Sequence, residues 1–511
     1  VEPSTNDGFP RAWARAAFAL DLRSLAVYRV ALGTILVADC LLRTRDFQLM
    51  HTATGMFTPE AIRAYGGGAA CWSLAGLSDA DAWAAGVLGL EGLAGGLLAV
   101  GCCSRAATVA AWVAVVSIVR RTAPATNAGD AWLVCQLAWA CFLPLGARWS
   151  CDARRHAAAR GGSRARPSAA WSVATVALVL QVVFVYLAAG GAKCNPGWWS
   201  GEALGHVLSV HDHGTALGMS VAEAAGPLRL VTRLVPVFEL AGAVLVLALP
   251  LPLVRGLLVV AFTFFHIGIW ATMSVGLFAP IAIAAWLPLV PARWWEQPAG
   301  GAVPTVGLGR PAAAACAAAL ALASTGYAVV MWHPPRDDGA RPLPAALDAL
   351  LDLTALHQEW GMFGSVPAQE QWVIAAATLA DGRVVDLLRG GAPVATVPPP
   401  GGFATLPHHR WQSVLWTLHT PPMRVFAPGV AAALARRWTA THPDGAAVRT
   451  LEIRFGRRRH APGDGTVHEL LVATWPDRSA TGAGGLERLL EEDATRAATL
   501  DEAATVPRPR R

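Results

Sequence analysis

A single lysine, Lys193, stands among 41 basic side chains, and all the others are arginine. A guanidinium keeps its proton in a protein, whereas an ammonium can give it up when desolvated, so a lone lysine in an arginine-rich chain marks a position that could call for a base. The plainer account, that a rare residue must fall somewhere, stands beside this one. The neighbours favour chemistry: Lys193 follows Gly190 and Gly191 and precedes Trp198 and Trp199. Glycines let a planar ring approach the backbone, and tryptophans can wall it or sit at a membrane interface. Farther on, His266 lies among Phe262, Phe265, Ile269, Trp270 and Met273 at helical spacing, and Glu239 follows Pro236 in another apolar run. Aromatic walls suit a planar ring such as a quinone, and a neutral imidazole can donate to or accept from its oxygens. A histidine on such a face is, in its plainer role, a core residue with its bonds satisfied.

The elements that must position these residues are membrane helices. Hydrophobic residues make up 54% of the 511 and charged residues only 15%, with a mean hydropathy of +0.41; an ordinary soluble chain carries about a quarter charged residues. Nine apolar runs of spanning or near-spanning length fall at 25–42, 84–102, 106–119, 131–145, 171–189, 230–249, 257–273, 277–290 and 311–331. The first run carries Arg29 and Asp39 and is expected to stay as a helix rather than act as a cleaved leader. Loop 148–166 holds six arginines, which by the positive-inside rule makes it cytoplasmic and puts Lys193, Asn127 and everything after Met331 outside; Arg120 and Arg121 fall on the wrong side of that count. Arg29, Asp39, Glu91 and Glu239 lie within apolar runs, where they must pair, face a wet cavity or sit near an interface. Each could be an interhelix ion pair that fixes packing; Arg29 and Glu239 could equally support the lysine site.

The expected fold is therefore an all-α membrane bundle of eight or nine helices over residues 1–332, followed by a smaller extracytoplasmic α+β domain over 333–511 with a basic tail. In that domain Asp381-Gly382 marks a hairpin within 371–388, 448–455 and 469–475 read as strands, and 345–356, 430–441 and 486–500 as helices. The net charge of +6 is spread through loops and tail and points to topology rather than nucleic-acid binding. The nine cysteines form no Cys-x-x-Cys pair and none follows Cys316, so neither a disulfide scaffold nor a metal site is expected.

Several stretches resemble, in order, the vitamin K-dependent γ-carboxylase membrane domain and its bacterial relatives, the horizontally transferred transmembrane (HTTM) domain proteins. Asp21-Leu-Arg-Ser-Leu-Ala-Val-Tyr-Arg29 is similar to the family's opening segment, Tyr186 to Lys193 with Trp198 and Gly201 to its lysine segment, and Phe265-His266 with Ser274-Val-Gly-Leu-Phe278 to its later pattern. The resemblance covers roughly residues 21–295, and Trp360-Gly-Met-Phe363 with Pro367 looks like members with an exported C-terminal domain. It implies an integral, multi-pass protein of a bacterial inner or plasma membrane, in contact with membrane lipid, and an exported peptide or protein as substrate. It also implies a reduced quinone (vitamin K or menaquinol) as cofactor, O2 and CO2 as co-substrates if carboxylation occurs, and Lys193 as the base that deprotonates the quinol. The carboxylases place a histidine in the loop before the fourth span, whereas this chain has Asn127 and Asp130 there, which the resemblance makes candidate quinol contacts in a different polar role, and no histidine between Arg121 and Arg154. Another branch of the family implies a different role, a non-oxidative factor that matures or binds a secreted peptide toxin.

Overall fold

The computed structural model describes residues 9–66, 72–159, 168–209, 213–295, 305–306, 318, 321, 344–364, 369–398, 406–442, 446–459 and 467–476. Among the described residues, five helices are long and apolar enough to cross a membrane: α1 (Leu22–Thr44), α2 (Asp81–Val100), α5 (Val173–Ala192), α6 (Ala225–Ala248) and α7 (Pro252–Thr272). Between and after them come α3 (Ser104–Arg121), α4 (Ala128–Ala140) and α8 (Phe278–Trp286). The expected fourth run ends early because α4 is started by a reciprocal cap between Asn127 and Asp130 and stops at Cys141, after which Pro144 turns the chain. The expected run at 311–331 lies almost entirely outside the described residues.

Packing follows from small residues on one side and bare apolar faces on the other. A methyl group on Gly33 would lie 2.4 Å from the backbone nitrogen of Ala99, and one on Gly95 would lie 2.7 Å from the Leu36 Cβ, so α1 and α2 cross with backbones nearly touching. α5 is the most enclosed of the five spans, whereas α6 and α7 leave Leu230, Leu234, Leu257 and Phe264 each more than half exposed. Such an apolar belt is what lipid, not water, would cover.

The bundle has two distinct ends. At one, two-residue strands at Leu20–Asp21, Ala169–Ala170 and Thr305–Val306 tie the starts of α1 and α5 together beside the loop that begins the arginine cluster. At the other sits the C-terminal region: a five-stranded antiparallel sheet in the order β3-β2-β1-β4-β5, built from β1 (Gln369–Leu379), β2 (Val384–Asp386), β3 (Ala392–Pro393), β4 (Val448–Arg459) and β5 (Val467–Trp475). α9 (Ala345–Thr354), α10 (His409–Thr417) and α11 (Ala427–Thr441) accompany it. Its core is not closed by its own residues: Met50, Phe57 and Ala125 from bundle loops pack with Val373, Trp411, Phe426 and Leu451. Arg120 and Arg121, which fall on the wrong side of the arginine count, are absorbed at this junction. Arg120 donates to the carbonyls of Trp72 and Asp352, and Arg121 to that of His51. The expected helix at 486–500 and the basic tail lie outside the described residues.

Candidate functional site

Gly190 sets the site's geometry. A methyl group there would come within 2.9 Å of the Leu240 side chain and 3.1 Å of the Glu239 Cβ, so its absence draws α6 against α5. Lys193 lies one turn beyond Gly190, at the C-terminal cap of α5, and Glu239 comes to face it. The Lys193 Nζ donates to both Glu239 carboxylate oxygens, at 3.2 and 2.9 Å, and to the Ala189 carbonyl at 3.1 Å. Its three protons are thus assigned, inside a site where both side chains are 6% exposed. The indole of Trp198 lies under the ammonium, 5.6 Å from ring centre to Nζ, and its Nε1 donates to the Phe363 carbonyl of the C-terminal region.

This pair borders a cavity of about 820 Å³ walled by Trp132, Tyr186, Phe265, Phe278 and Phe363, among others. Trp286 Nε1 donates to the Tyr186 hydroxyl at 2.9 Å, and that hydroxyl lies 2.6 Å from His266 Nε2. All three groups are satisfied if Tyr186 accepts from Trp286 and donates to His266, which leaves the imidazole proton on Nδ1. Among the described residues that nitrogen is buried without a hydrogen-bond partner, in a residue that lines the cavity. A buried donor left open costs stability, of the order of 1–3 kcal/mol, and marks a place for an acceptor.

The other sequence candidates divide. Asn127 lines the cavity, but its side-chain oxygen caps α4 by accepting from the backbone of Gly129 and Asp130. Asp130 does not line it. Its carboxylate accepts from Arg43, Arg410 and the Asn127 backbone, within a buried cluster completed by Asp39. Gly190 and Gly191 likewise do not line the cavity; Gly190 serves helix contact rather than the approach of a ring. Arg29 sits at the far end of the bundle, where its Nη2 donates to the Trp149 carbonyl and Gly101, at φ +76°, leaves room for the guanidinium. A 20-residue helix separates that end from Lys193 by about 30 Å, so Arg29 does not support the lysine.

Three residues that sequence reading passed over also line the cavity: His213, His409 and Gln412. Gln412 lies 2.5 Å from His213 Nδ1 through its side-chain nitrogen. Burial pushes His213 down to about 4, with the Gln412 contact opposing it, and burial together with the Arg410 charge takes His409 down to about 4. The sequence signs of the histidines were a His-Asp-His run at 211–213 and a His-His-Arg-Trp run at 408–411, whose Arg410 and Trp411 find partners hundreds of residues away.

The model of the HTTM domain matches residues 19–294, more than half of the chain, and takes in helices α1 to α8 with Lys193, Glu239 and His266. The protein belongs to the HTTM family. That family is found in vitamin K-dependent carboxylase-like membrane proteins, and its membrane association agrees with the five spanning helices. No curated protein and no solved structure matches the chain significantly. The HTTM match ends at Trp294, so His409 and Gln412 reach the HTTM cavity from outside the matched region.

Proposed function

We propose that this HTTM protein is a quinol-dependent membrane enzyme of the carboxylase-like or oxygenase type, with Lys193 as the base and an exported peptide or protein as the final substrate. The observation that carries this reading is the Lys193–Glu239 pair bordering an aromatic cavity that also holds an unpartnered imidazole nitrogen. The donor set fits a quinol: flat aromatic walls for a ring, a donor at His266 Nδ1 for one oxygen, and a proton acceptor at Lys193. A bound quinol would supply the reducing equivalents for O2.

The residues of the chain divide the remaining work. Lys193 can take up a proton only after losing one, and Glu239, bonded to it through both oxygens, is the group beside it that can receive that proton. Transfer within the pair leaves an amine beside a carboxylic acid with no change in net charge, which suits a site of low dielectric. Tyr186 and Trp286 hold the His266 tautomer, and Trp198 covers the ammonium. The arginine-rich loop at the opposite end of the bundle supports a topology in which the Lys193 end and the C-terminal region face away from the cytoplasm of a bacterial cell. In that arrangement α3, α4 and α8 complete the bundle alongside the five long spans.

The test is O2 uptake and menaquinol oxidation by the protein in liposomes. Lys193→Arg keeps a cation for Glu239 but no transferable proton, and turnover should fall about 100-fold or more, the usual worth of a general base. Full turnover in that variant overturns the enzyme reading and favours a non-oxidative factor for a secreted peptide, in which Lys193 is only a cation in place.

A further inference from the structure

Taking the cavity as a ligand site, as the proposed function does, we propose that α10 of the C-terminal region forms part of it: His409, with Gln412 acting alongside His213, receives the polar end of an uncharged ligand. Four observations carry this. The first is placement. His409, Gln412 and His213 all line the same cavity as Lys193 and His266.

The second is that the His409 ring is held in position while making no hydrogen bond through its nitrogens among the described residues. Gly276, at φ +59°, packs against it so closely that a methyl group there would lie 2.4–2.5 Å from three ring atoms. The next residue, Arg410, is fixed by the Ala125 carbonyl and the carboxylates of Asp39 and Asp130. A side chain positioned that firmly, with its nitrogens unused, is arranged as a ligand-binding group would be.

The third observation is charge. Among the described lining residues the charged side chains are Lys193 and Glu239, which pair with each other, and every ammonium proton of Lys193 is already assigned. His213 and His409 are uncharged near neutrality. A carboxylate or phosphate entering the cavity would find no unpaired cation and would lose its hydration without return. An uncharged molecule with hydrogen-bonding oxygens loses far less. The fourth is the route. Val231 on α6 and Phe264 on α7 line the cavity and are also exposed on the apolar outer face, so the cavity reaches the lipid side of the bundle. The ligand class is therefore an uncharged lipid-soluble molecule with a polar ring or head, which enters between α6 and α7 and meets His409 at the C-terminal cap.

The experiment titrates the full chain in nanodiscs with menaquinone-4 and with a naphthoquinone of similar size that bears a carboxylate, read by quenching of tryptophan fluorescence, since Trp132, Trp198 and Trp416 line the cavity. The neutral compound should bind more tightly than the carboxylate. His409→Leu should weaken it about ten-fold, the worth of one hydrogen bond in a dry site, with the melting temperature unchanged because Arg410 stays in place. Gly276→Ala, which displaces the ring without removing it, should act in the same direction. A double variant, His409→Leu with Gln412→Leu, that binds menaquinone-4 as tightly as wild type overturns the proposal, as does tighter binding of the carboxylate. If wild type does not bind menaquinone-4 at all, the quinone reading fails and mass spectrometry of co-purifying lipid decides the α10 proposal. A neutral lipid held by wild type and lost from His409→Leu supports it; equal retention, or no lipid in either, overturns it.

Discussion

Two of the buried ionic groups among the described residues are built to opposite ends. Around Asp39, two aspartates and two arginines from α1, α4 and α10 close on one another. Arg43 bonds Asp39 at 2.9 Å and Asp130 at 2.8 Å, Arg410 bonds Asp39 at 2.6 Å and Asp130 at 3.0 Å, and every carboxylate oxygen of the two aspartates has a partner. No cavity residue belongs to that cluster. Lys193 and Glu239 form a single pair between adjacent helices with a cavity beside them. The first group joins three distant stretches of chain with charges that do not move, and the second places one exchangeable proton next to open space. Buried charge alone therefore does not identify a site; what separates the two is whether a proton can be exchanged with something that fits alongside.

The largest effect expected from this contrast is on the clasp. Arg410→Met leaves Asp39 and Asp130 sharing one arginine, and breaking a buried network by removing one partner costs about 3–5 kcal/mol. Melting in detergent should fall accordingly, and limited proteolysis should cut the 344–476 region before the bundle. The matched change in the other group, Glu239→Gln, keeps an acceptor for Lys193 and leaves a lysine that can shed its unpaired charge as a neutral amine, so it should cost less than Arg410→Met while turnover is lost. If the two variants melt alike, the distinction between clasp and site fails.

The same contrast governs what the sequence revealed. The long spans were legible because about 20 apolar residues in a row have few other uses, and the sheet because Asp381-Gly382 sits between alternating strands that pair as β1 and β2. Lys193, Glu239 and His266 were legible because a titratable group in an apolar run requires an account, and the structure brings all three to one cavity. Asp130 was misjudged for the same reason: its partner Arg410 lies 280 residues away, and nothing local separates a carboxylate that meets a ligand from one that meets an arginine. α10 was missed altogether. Its buried face is Arg410, Trp411, Gln412, Val414 and Leu415, a mixture that shows no apolar period, with Trp411, Val414 and Leu415 in the core shared with Phe426 and Leu451 and Arg410 held by Asp39 and Asp130. Gly190 shows a subtler limit, since a glycine that admits a ring and one that admits a helix look identical in sequence.

Acid should separate the two regions next. His213 and His409 stand at about 4 when folded, below the ordinary value of about 6.5, so the folded state binds fewer protons than the unfolded chain as pH falls. Their contribution is complete above about pH 6.5 and is lost as pH drops toward 4, reaching about 2 kcal/mol per histidine at pH 5. Melting temperatures measured between pH 7 and 5 should therefore fall, and the fall should be shallower in His213→Gln and His409→Gln. A slope unchanged by both substitutions would mean that the wall of the cavity is wet in solution and the histidines are not held uncharged by burial.

The smallest expected effect bears on how the clasp is balanced. Glu91 on α2 is fully buried beside Asp39, with Arg43 and Arg410 farther into the same neighbourhood. If Glu91 were the third anion of the cluster, three negative charges would face two arginines in a space closed to water. The bonds argue otherwise: both arginines spend their contacts on Asp39 and Asp130, and none reaches Glu91. Glu91→Gln offers Asp39 an amide donor in place of a second acid, so its cost should stay within about 1 kcal/mol and could be a gain. Asp39→Asn, one helix away, removes a charge that both arginines use and should cost several times more. A Glu91→Gln variant as damaging as Asp39→Asn would make Glu91 a working anion of the clasp, and its balance of two carboxylates against two arginines would have to be counted again.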